Sequence, residues 1–409
     1  MRILHTSDWH IGRKLYRRKR YDEFDAFLNW LEGTIHRKEV DALLVSGDVF
    51  DTSTPGNRAQ ELYYRFLCRV AASPCRHVVV TAGNHDSPTF LTAPSEILRT
   101  LNVHVIGSIT ENISDEVLVL KDHNGIPELI ICSVPYLRDR DIRKVEAGES
   151  IDDKKRKIMD GIQGHYSAVC SLADEKCQEL GGSIPIVAMG HLFTTGARTI
   201  DGDGVRELYV GSLAHVGSEM FPECIDYLAL GHLHIPQKVA GLETMRYSGS
   251  PIPMGFGEAS QEKSICLIDF SSRKAEVSLE KVPVFQQLER IRGNWDEISG
   301  RILQLSRMDS SAWLQVEYNG SELMGDLQNR LNEAVSSTNM EILRVTNLRV
   351  MNHVLDMVQD VTTLDNLSAG EVFEKRMDAA EVPEEQRRDL VHTYREAINS
   401  LVEEDTQKE

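Results

Sequence analysis

Five short segments of the chain carry side chains able to bind metal ions: Asp8-Trp9-His10, Gly47-Asp48, Gly83-Asn84-His85-Asp86, Gly190-His191 and Gly231-His232-Leu233-His234. Residues two apart in an extended segment point the same way, so Asp8 with His10, and His232 with His234, can each offer two ligands to one side. Glycine in four of the segments lets the backbone turn sharply and come close to a ligand. A single histidine is most simply a hydrogen-bonded core residue, and nine of the 14 histidines lie outside these segments. The recurrence of all five segments, four of them directly after apolar runs, argues instead for side chains converging from separate strands.

The residue types narrow the chemistry. Carboxylates and an amide mixed with imidazoles, without a thiolate, suit hard to borderline divalent ions, which leaves manganese, magnesium, iron and zinc open. A carboxylate is the natural bridge between two cations about 3.5–4 Å apart, and Asp48 is the expected bridge. Such a pair withdraws charge from a phosphodiester, lowers the pKa of a bound water and aligns it for in-line attack.

Elements able to position these residues are legible around them. Short β-branched or apolar runs at Arg2 to Thr6, Ala42 to Ser46, Val78 to Ala82, Ile184 to Met189 and Tyr227 to Leu230 read as strands. Between the second and third, Leu62, Tyr63, Phe66, Leu67 and Val70 recur at helical spacing, which points to β-α-β units and a layered α/β domain. In such sheets ligands sit beyond the carboxyl ends of the strands, where the five segments fall. From residue 283 the pattern becomes strand, helix, strand, helix, strand: Pro283 to Leu288, Trp295 to Leu305, Trp313 to Tyr318, Leu323 to Val335 and Glu341 to Val350. This predicts a small α+β unit. Ser368 to Glu371 is a capping box stapled by Leu367 and Val372, and a second tail helix begins near Pro383 with Leu390, Tyr394, Ile398 and Leu401 on one face. That stripe either packs on the protein's own core or docks a partner helix. The expected division is 1–280, 281–350 and 351–409, in keeping with a soft prior of roughly 100–200 residues per domain.

A net charge of −18 argues at first against nucleic acid, whose binding rests on neutralising phosphates. Distribution matters more, because residues 348–409 hold 7 basic and 15 acidic side chains, nearly half of the excess. Arg13, Lys14, Arg17, Arg18, Lys19 and Arg20 place six cations in eight positions directly after Asp8 and His10. Such a run is commonly a solvated face; its place beside candidate ligands makes a phosphate-binding surface the alternative. The seven cysteines form no C-x-x-C pair, so neither a zinc knuckle nor a disulfide framework is expected. No stretch approaches the roughly 20 apolar residues of a membrane helix, and the N-terminus turns polar too soon for a secretory signal. A cytoplasmic protein is expected. No phosphate-binding G-x4-G-K-[ST] motif occurs, and Asp201 to Gly204 lacks the later ligands of a calcium loop and reads as a turn.

Taken in order, D-x-H, G-D, G-N-H-D, G-H and G-H-x-H resemble the complete signature of the calcineurin-like metallophosphoesterases. The wider runs LHTSDWHIG (4–12), SGDVFDT (46–52) and YSGSP (247–251) are similar, more narrowly, to the nuclease-subunit family that works with SMC-like ATPases in double-strand-break repair. The resemblance implies a four-layer α/β/β/α sandwich with a small α+β capping domain and a C-terminal helical segment that binds the ATPase. It implies two Mn2+ ions, with Mg2+ or another divalent metal as substitutes. Asp8, His10, Asp48 and His234 would hold one, and Asp48, Asn84, His191 and His232 the other. His85 would sit at the scissile phosphate, with Asp86 orienting it. Some relatives carry a second functional histidine where this chain has Asp51.

The activity implied is 3′ to 5′ exonuclease on double-stranded DNA ends and endonuclease on single strands and hairpins, in repair, replication and recombination. The implied partner is an SbcC-type SMC-like ATPase, in a heterotetramer containing a homodimer of this chain at the nucleoid. Arg13, Lys14, Arg17 and Arg18 are the expected DNA contacts. Two other readings share the motifs: a phosphoprotein phosphatase or cyclic-nucleotide phosphodiesterase, and a non-catalytic DNA tether.

Overall fold

Alternation along the strands decides the layers. In the strand Ala42–Ser46, Leu43 and Val45 pack with Phe24, Leu31 and Phe66 of the helices Tyr21–Arg37 and Asn57–Ala71. Ala42 and Leu44 point the opposite way, into a second cluster with Ile131, Val187, Met189 and Ala229. Strands buried on both faces read as continuous apolar runs, which is why ALLVS shows no polar alternation. The same division recurs in the second sheet: Ile130, Cys132, Ile186 and Ala188 pack on Ile158, Ile162, Tyr166 and Val169 of the helix Ile151–Glu179. Helix, sheet, sheet and helix therefore stack as four layers, as the family resemblance implies.

The computed structural model describes residues 1–143, 149–194, 217–320, 324 and 326–347, together with residues 373, 377, 387, 390, 391 and 394. The first six-stranded sheet runs Lys274–Lys281, Ser264–Ser271, Arg2–Thr6, Ala42–Ser46, His77–Thr81, Val103–Ile106. The second runs Gln237–Val239, Leu242–Tyr247, Tyr227–Gly231, Ile186–His191, Pro127–Ser133, Val117–Lys121. In the first sheet Arg2–Thr6, Ala42–Ser46 and His77–Thr81 are parallel, with Ile3 opposite Ala42 and Ala42 opposite His77. In the second, Ile186–His191 and Tyr227–Gly231 are parallel, with Val187 opposite Tyr227. These five strands bear the metal-binding segments at their carboxyl ends. Antiparallel pairing brings in the outer strands: Ser264–Ser271 pairs with Arg2–Thr6 and forms a hairpin with Lys274–Lys281, and the second sheet has an antiparallel pair at each edge.

The chain divides at Gln287/Leu288 into two compact units. In the second, the parallel strands Leu288–Gly293, Trp313–Tyr318 and Glu341–Asn347 are joined by the helices Trp295–Arg307 and Leu327–Val335 around Ile298, Ile302, Leu314, Val316 and Leu331. Asn294 caps the first of these helices in a reciprocal pair with Glu297.

The strand expected at Pro283 to Leu288 is displaced: it begins where the expectation ends, at Leu288. Pro283 has no N–H for a ladder and Val284 is exposed. The observed segment looks too charged for a strand, yet Leu288 and Ile291 enter the core while Arg290 Nε donates to Glu317 Oε1 of the neighbouring strand at 2.9 Å.

The six described tail residues are helical, and the rings of Phe373 and Tyr394 stack 4.0 Å apart. The capping box at 368–371, the stripe residues Ile398 and Leu401, and the turn at 201–204 lie outside the described residues, as do 321–323 and 348–350. Among the described residues no helix is long and apolar enough to cross a membrane.

The layering predicts a contrast in stability. Ile131→Ala, at the fully buried contact between the sheets, should lower the unfolding free energy by about 2–5 kcal/mol. Leu279→Ala, on the exposed edge hairpin, should change it by no more than roughly 0.5 kcal/mol. Urea unfolding of the two variants measures both.

Candidate metal centre

The segments after the strands are turns. Asp8, His10, Asp48 and His232 have φ of 53°, 48°, 51° and 101°, in the left-handed region that side chains other than glycine rarely adopt. Each costs on the order of 1–3 kcal/mol and persists only where the surroundings enforce it. Here the enforcement is mutual. Asp8 N donates to Gly47 O at 3.0 Å, His10 N to Asp48 O at 2.9 Å, and His232 N to Asp8 Oδ1 at 2.9 Å. The expectation that Asp8 with His10, and His232 with His234, share a side because their segments are extended is therefore corrected. The turns aim these side chains, and strand alternation does not. Glycine is required at Gly83, where a Cβ would overlap Asp48 Oδ1, and at Gly231, where it would overlap the Ser46 carbonyl.

All seven expected ligand residues are brought together. His191 Nε2 and His232 Nδ1 each lie 3.0 Å from Asn84 Oδ1, and His191 Nε2 lies 3.4 Å from Asp48 Oδ2. On the other side, His10 Nε2 lies 3.1 Å from His234 Nε2 and 3.6 Å from Asp48 Oδ2. Asp8 offers a carboxylate oxygen to two groups, one with His10 and His234 and one with Asp48 and His191, whose donor atoms lie within 4.8 Å of one another. Donor atoms about 3 Å apart have the separation of neighbouring ligands on one ion at bonds near 2.1 Å. The residues fit divalent ions by spacing and by donor type, and Asp48 Oδ2 stands between the two halves.

The imidazoles are oriented from behind. His191 Nδ1 donates to the Ser46 carbonyl at 2.9 Å, so that the neutral ring presents its Nε2 lone pair inward. His10 Nδ1 faces Asp51 Oδ1 at 3.5 Å, and His234 Nδ1 faces Glu258 Oε1 at 3.4 Å. Glu258 is fully buried and had no signal in the sequence beyond a carboxylate within the otherwise apolar run after YSGSP.

Burial dominates the electrostatics. It raises the Asp8 carboxyl and lowers His10 and His232 to about 3. It also opposes the charge on Asp48, but His191 and His85 outweigh it and hold Asp48 well below the carboxylate range. Conversely, burial works against His191, whose pKa rises to about 9 because Asp48 more than compensates. Without metal the centre thus rests on an Asp48 carboxylate and a His191 imidazolium.

His85 lies beside the cluster, its ring 4.7 Å from that of His10 and its Nδ1 2.8 Å from the Asp51 carbonyl. Asp86 does not orient it, which corrects the expectation. The Asp86 carboxylate accepts from the backbone N–H groups of Val49, Phe50 and Gly83 and so ties two ligand turns together. Asp51 takes the orienting part through its carbonyl, while its side chain accepts from Arg13 Nη1 at 3.0 Å.

The basic run is divided by its partners. Arg13 is held by Asp51 and the Met254 carbonyl, and buried Arg20 forms a two-pronged pair with Glu23. Lys14, Arg17, Arg18 and Lys19 are exposed on the two-stranded hairpin Lys14–Leu15/Arg18–Lys19.

Residues 1–236 match the family described as calcineurin-like phosphoesterase, and residues 284–381 match one described as type 5 capsule protein repressor C-terminal domain. A protein of Escherichia coli K12 named as the SbcD subunit of the nuclease SbcCD is 36% identical over 411 residues, covering 99% of this chain and 99% of its own. The protein of the same name from Rhodobacter capsulatus is 35% identical over 285 residues, covering 67% of this chain and 68% of its own. A solved dimetal phosphatase from Danio rerio aligns at 11% identity and a TM-score of 0.39, covering 69% of this chain and 97% of that one. The chain belongs to the calcineurin-like phosphoesterases and is a metal-dependent phosphodiesterase that uses divalent ions. Within that class, its family is the one whose members are named as the SbcD subunit of the nuclease SbcCD.

Metal uptake should depend on pH with a defined sign. His191 carries a proton below about 9 and must release it to offer Nε2. Apparent affinity should therefore rise with pH toward 9 and fall by about tenfold per unit for one displaced proton below it. Titration calorimetry with Mn2+ in buffers of different ionisation enthalpy measures the released proton directly.

Proposed function

We propose that this protein is a manganese-dependent DNA nuclease that hydrolyses phosphodiesters at a two-ion centre. The observation that carries the reading is the convergence of six donor residues around a shared Asp48 with His85 beside them. In this reading Asp8, His10, Asp48 and His234 hold one ion, and Asp48, Asn84, His191 and His232 the other. Bound ions supply Lewis acidity to the phosphodiester and lower the pKa of a coordinated water.

The chain's own residues do the rest. Asp48 keeps its charge because His191, His85 and His10 stand around it. Ser46 and Asp51 hold ring orientations so that the donors are in place before substrate arrives. His85 acts at the scissile phosphate. A carbonyl can only accept, so the bond to Asp51 O puts a proton on Nδ1. A protonated His85 then donates its Nε2–H to the leaving oxygen or to the charge developing on the phosphoryl group.

A polymeric substrate accounts for the exposed cations of the hairpin, where Lys14, Arg17 and Arg18 are read as backbone contacts, with Arg13 bracing the hairpin's base. Double-stranded ends cut 3′ to 5′, hairpins and single strands are the substrates inferred, in repair, replication and recombination within the cytoplasm. The unit that begins at Leu288 is read as a cap orienting DNA. Residues 351–409 are read as the docking segment for an SbcC-type ATPase, two copies of this chain sharing one heterotetramer.

His85→Gln should retain two Mn2+ per chain and bind DNA normally, while cleavage of a labelled hairpin falls by about 10²–10⁴-fold. Turnover of a phosphopeptide but never of the hairpin by the unaltered protein would exclude the nuclease reading. Deleting residues 352–409 should abolish copurification with the ATPase and spare manganese-dependent cleavage of short substrates, which a pull-down and a gel assay check together.

A further inference from the structure

Behind His234 lies a buried charge pair that the chemistry so far leaves unused. Lys263 and Glu258 are both buried, and Lys263 Nζ donates to Glu258 Oε2, to Ser250 Oγ at 3.0 Å and to the carbonyl of His234 itself at 2.9 Å. Glu258 Oε2 also accepts from Met254 N at 3.2 Å and Ser250 Oγ at 3.3 Å. Its other oxygen, Oε1, is buried without a full hydrogen bond and lies 3.4 Å from His234 Nδ1. The pair thus meets His234 from two directions, at its backbone through the ammonium and at its ring through the carboxylate.

Stability alone does not account for this arrangement. Taking an ammonium and a carboxylate out of water is costly, and apolar side chains of similar volume commonly replace such a pair with no loss of stability. What apolar residues could not do is hold the ring with Nδ1–H toward a carboxylate and Nε2 toward the centre, where it faces His10 Nε2 at 3.1 Å. The opposite half of the centre is built differently, since His191 leans on the neutral carbonyl of Ser46.

We propose that Glu258 and Lys263 are positioning residues for His234, and that the half of the centre formed by Asp8, His10 and His234 depends on them to hold its ion. The proposal rests on the reading that His234 is a metal ligand. Glu258 sets the direction of the His234 ring, and Lys263 neutralises Glu258 and anchors the turn that carries the ring.

The test is Mn2+ binding to the full-length chain, followed by calorimetry and by the electron paramagnetic resonance of the bound ions. The unaltered protein, His234→Ala, Glu258→Gln and the double variant Glu258→Leu with Lys263→Met are compared. The double variant should keep its metal-free unfolding midpoint and weaken one of two sites by about 10–100-fold, replacing the coupled two-ion spectrum at limiting metal with that of a single ion. Glu258→Gln, which retains an acceptor without the charge, should fall between. Two ions bound at unaltered affinity in a folded double variant overturn the proposal. So does equal weakening of both sites together with a lower metal-free midpoint, the mark of a merely structural pair. If the double variant does not fold, Glu258→Gln decides by the same one-site criterion. Failure of the underlying reading looks different: the unaltered protein would not bind two ions, or His234→Ala would leave both in place.

Discussion

Two buried carboxylates, Asp8 and Asp48, share one cluster of imidazoles at the ends of two facing sheets, and most of what is unusual about the chain can be traced to that arrangement. Like charges taken out of water repel and lose solvation together, so neither is tolerable without compensation. Hydrogen bonds supply part of it: Asp8 accepts from Ser7 and from the backbone of His232, and Asp48 from the backbone of His85. The His191 imidazolium supplies another part. Divalent ions, when bound, would supply further compensation, which would make metal binding and the local structure parts of one equilibrium.

The need to aim donors from both sheets explains the strained backbone. Three left-handed turns at Asp8, His10 and Asp48 lie in the first sheet's loops and one at His232 in the second's, and each is locked by a hydrogen bond to another ligand segment. Asp86 extends the same principle. Its burial and the charge of Asp48 raise its pKa to about 7, yet it is spent entirely on three backbone amides that join the Asp48 turn to the Asn84 turn. Cross-bracing of this kind makes a rigid cradle, at the cost of allowing few substitutions within it.

Charge outside the centre follows a similar logic of commitment. Six cations in eight residues look like one surface in the sequence, but Arg13 and Arg20 are tied to Asp51 and Glu23 and serve to hold the hairpin. Lys14, Arg17, Arg18 and Lys19 are exposed. A net charge of −18 is compatible with a polyanionic ligand because the acidic excess is concentrated in the tail.

The seven candidate ligand side chains, the layered α/β class and a strand–helix–strand pattern from about residue 283 were legible in the sequence, because strand runs followed by glycine-bearing polar turns leave a local pattern. The Pro283 strand was misplaced because Leu288 to Gly293 pairs with the distant Trp313 to Tyr318, where the charge of Arg290 meets Glu317, a residue 27 positions beyond it. What the sequence determined by itself was which residues are candidate ligands and which strand ends present them. Only the tertiary structure decided how they are aimed and backed: Asp51 rather than Asp86 behind His85, Glu258 and Lys263 behind His234, Ser46 behind His191. The physical reason is range. A ligand motif is written in neighbouring residues, whereas the partner that fixes a ring's orientation need only be close in space, and for His191 it lies 145 positions away.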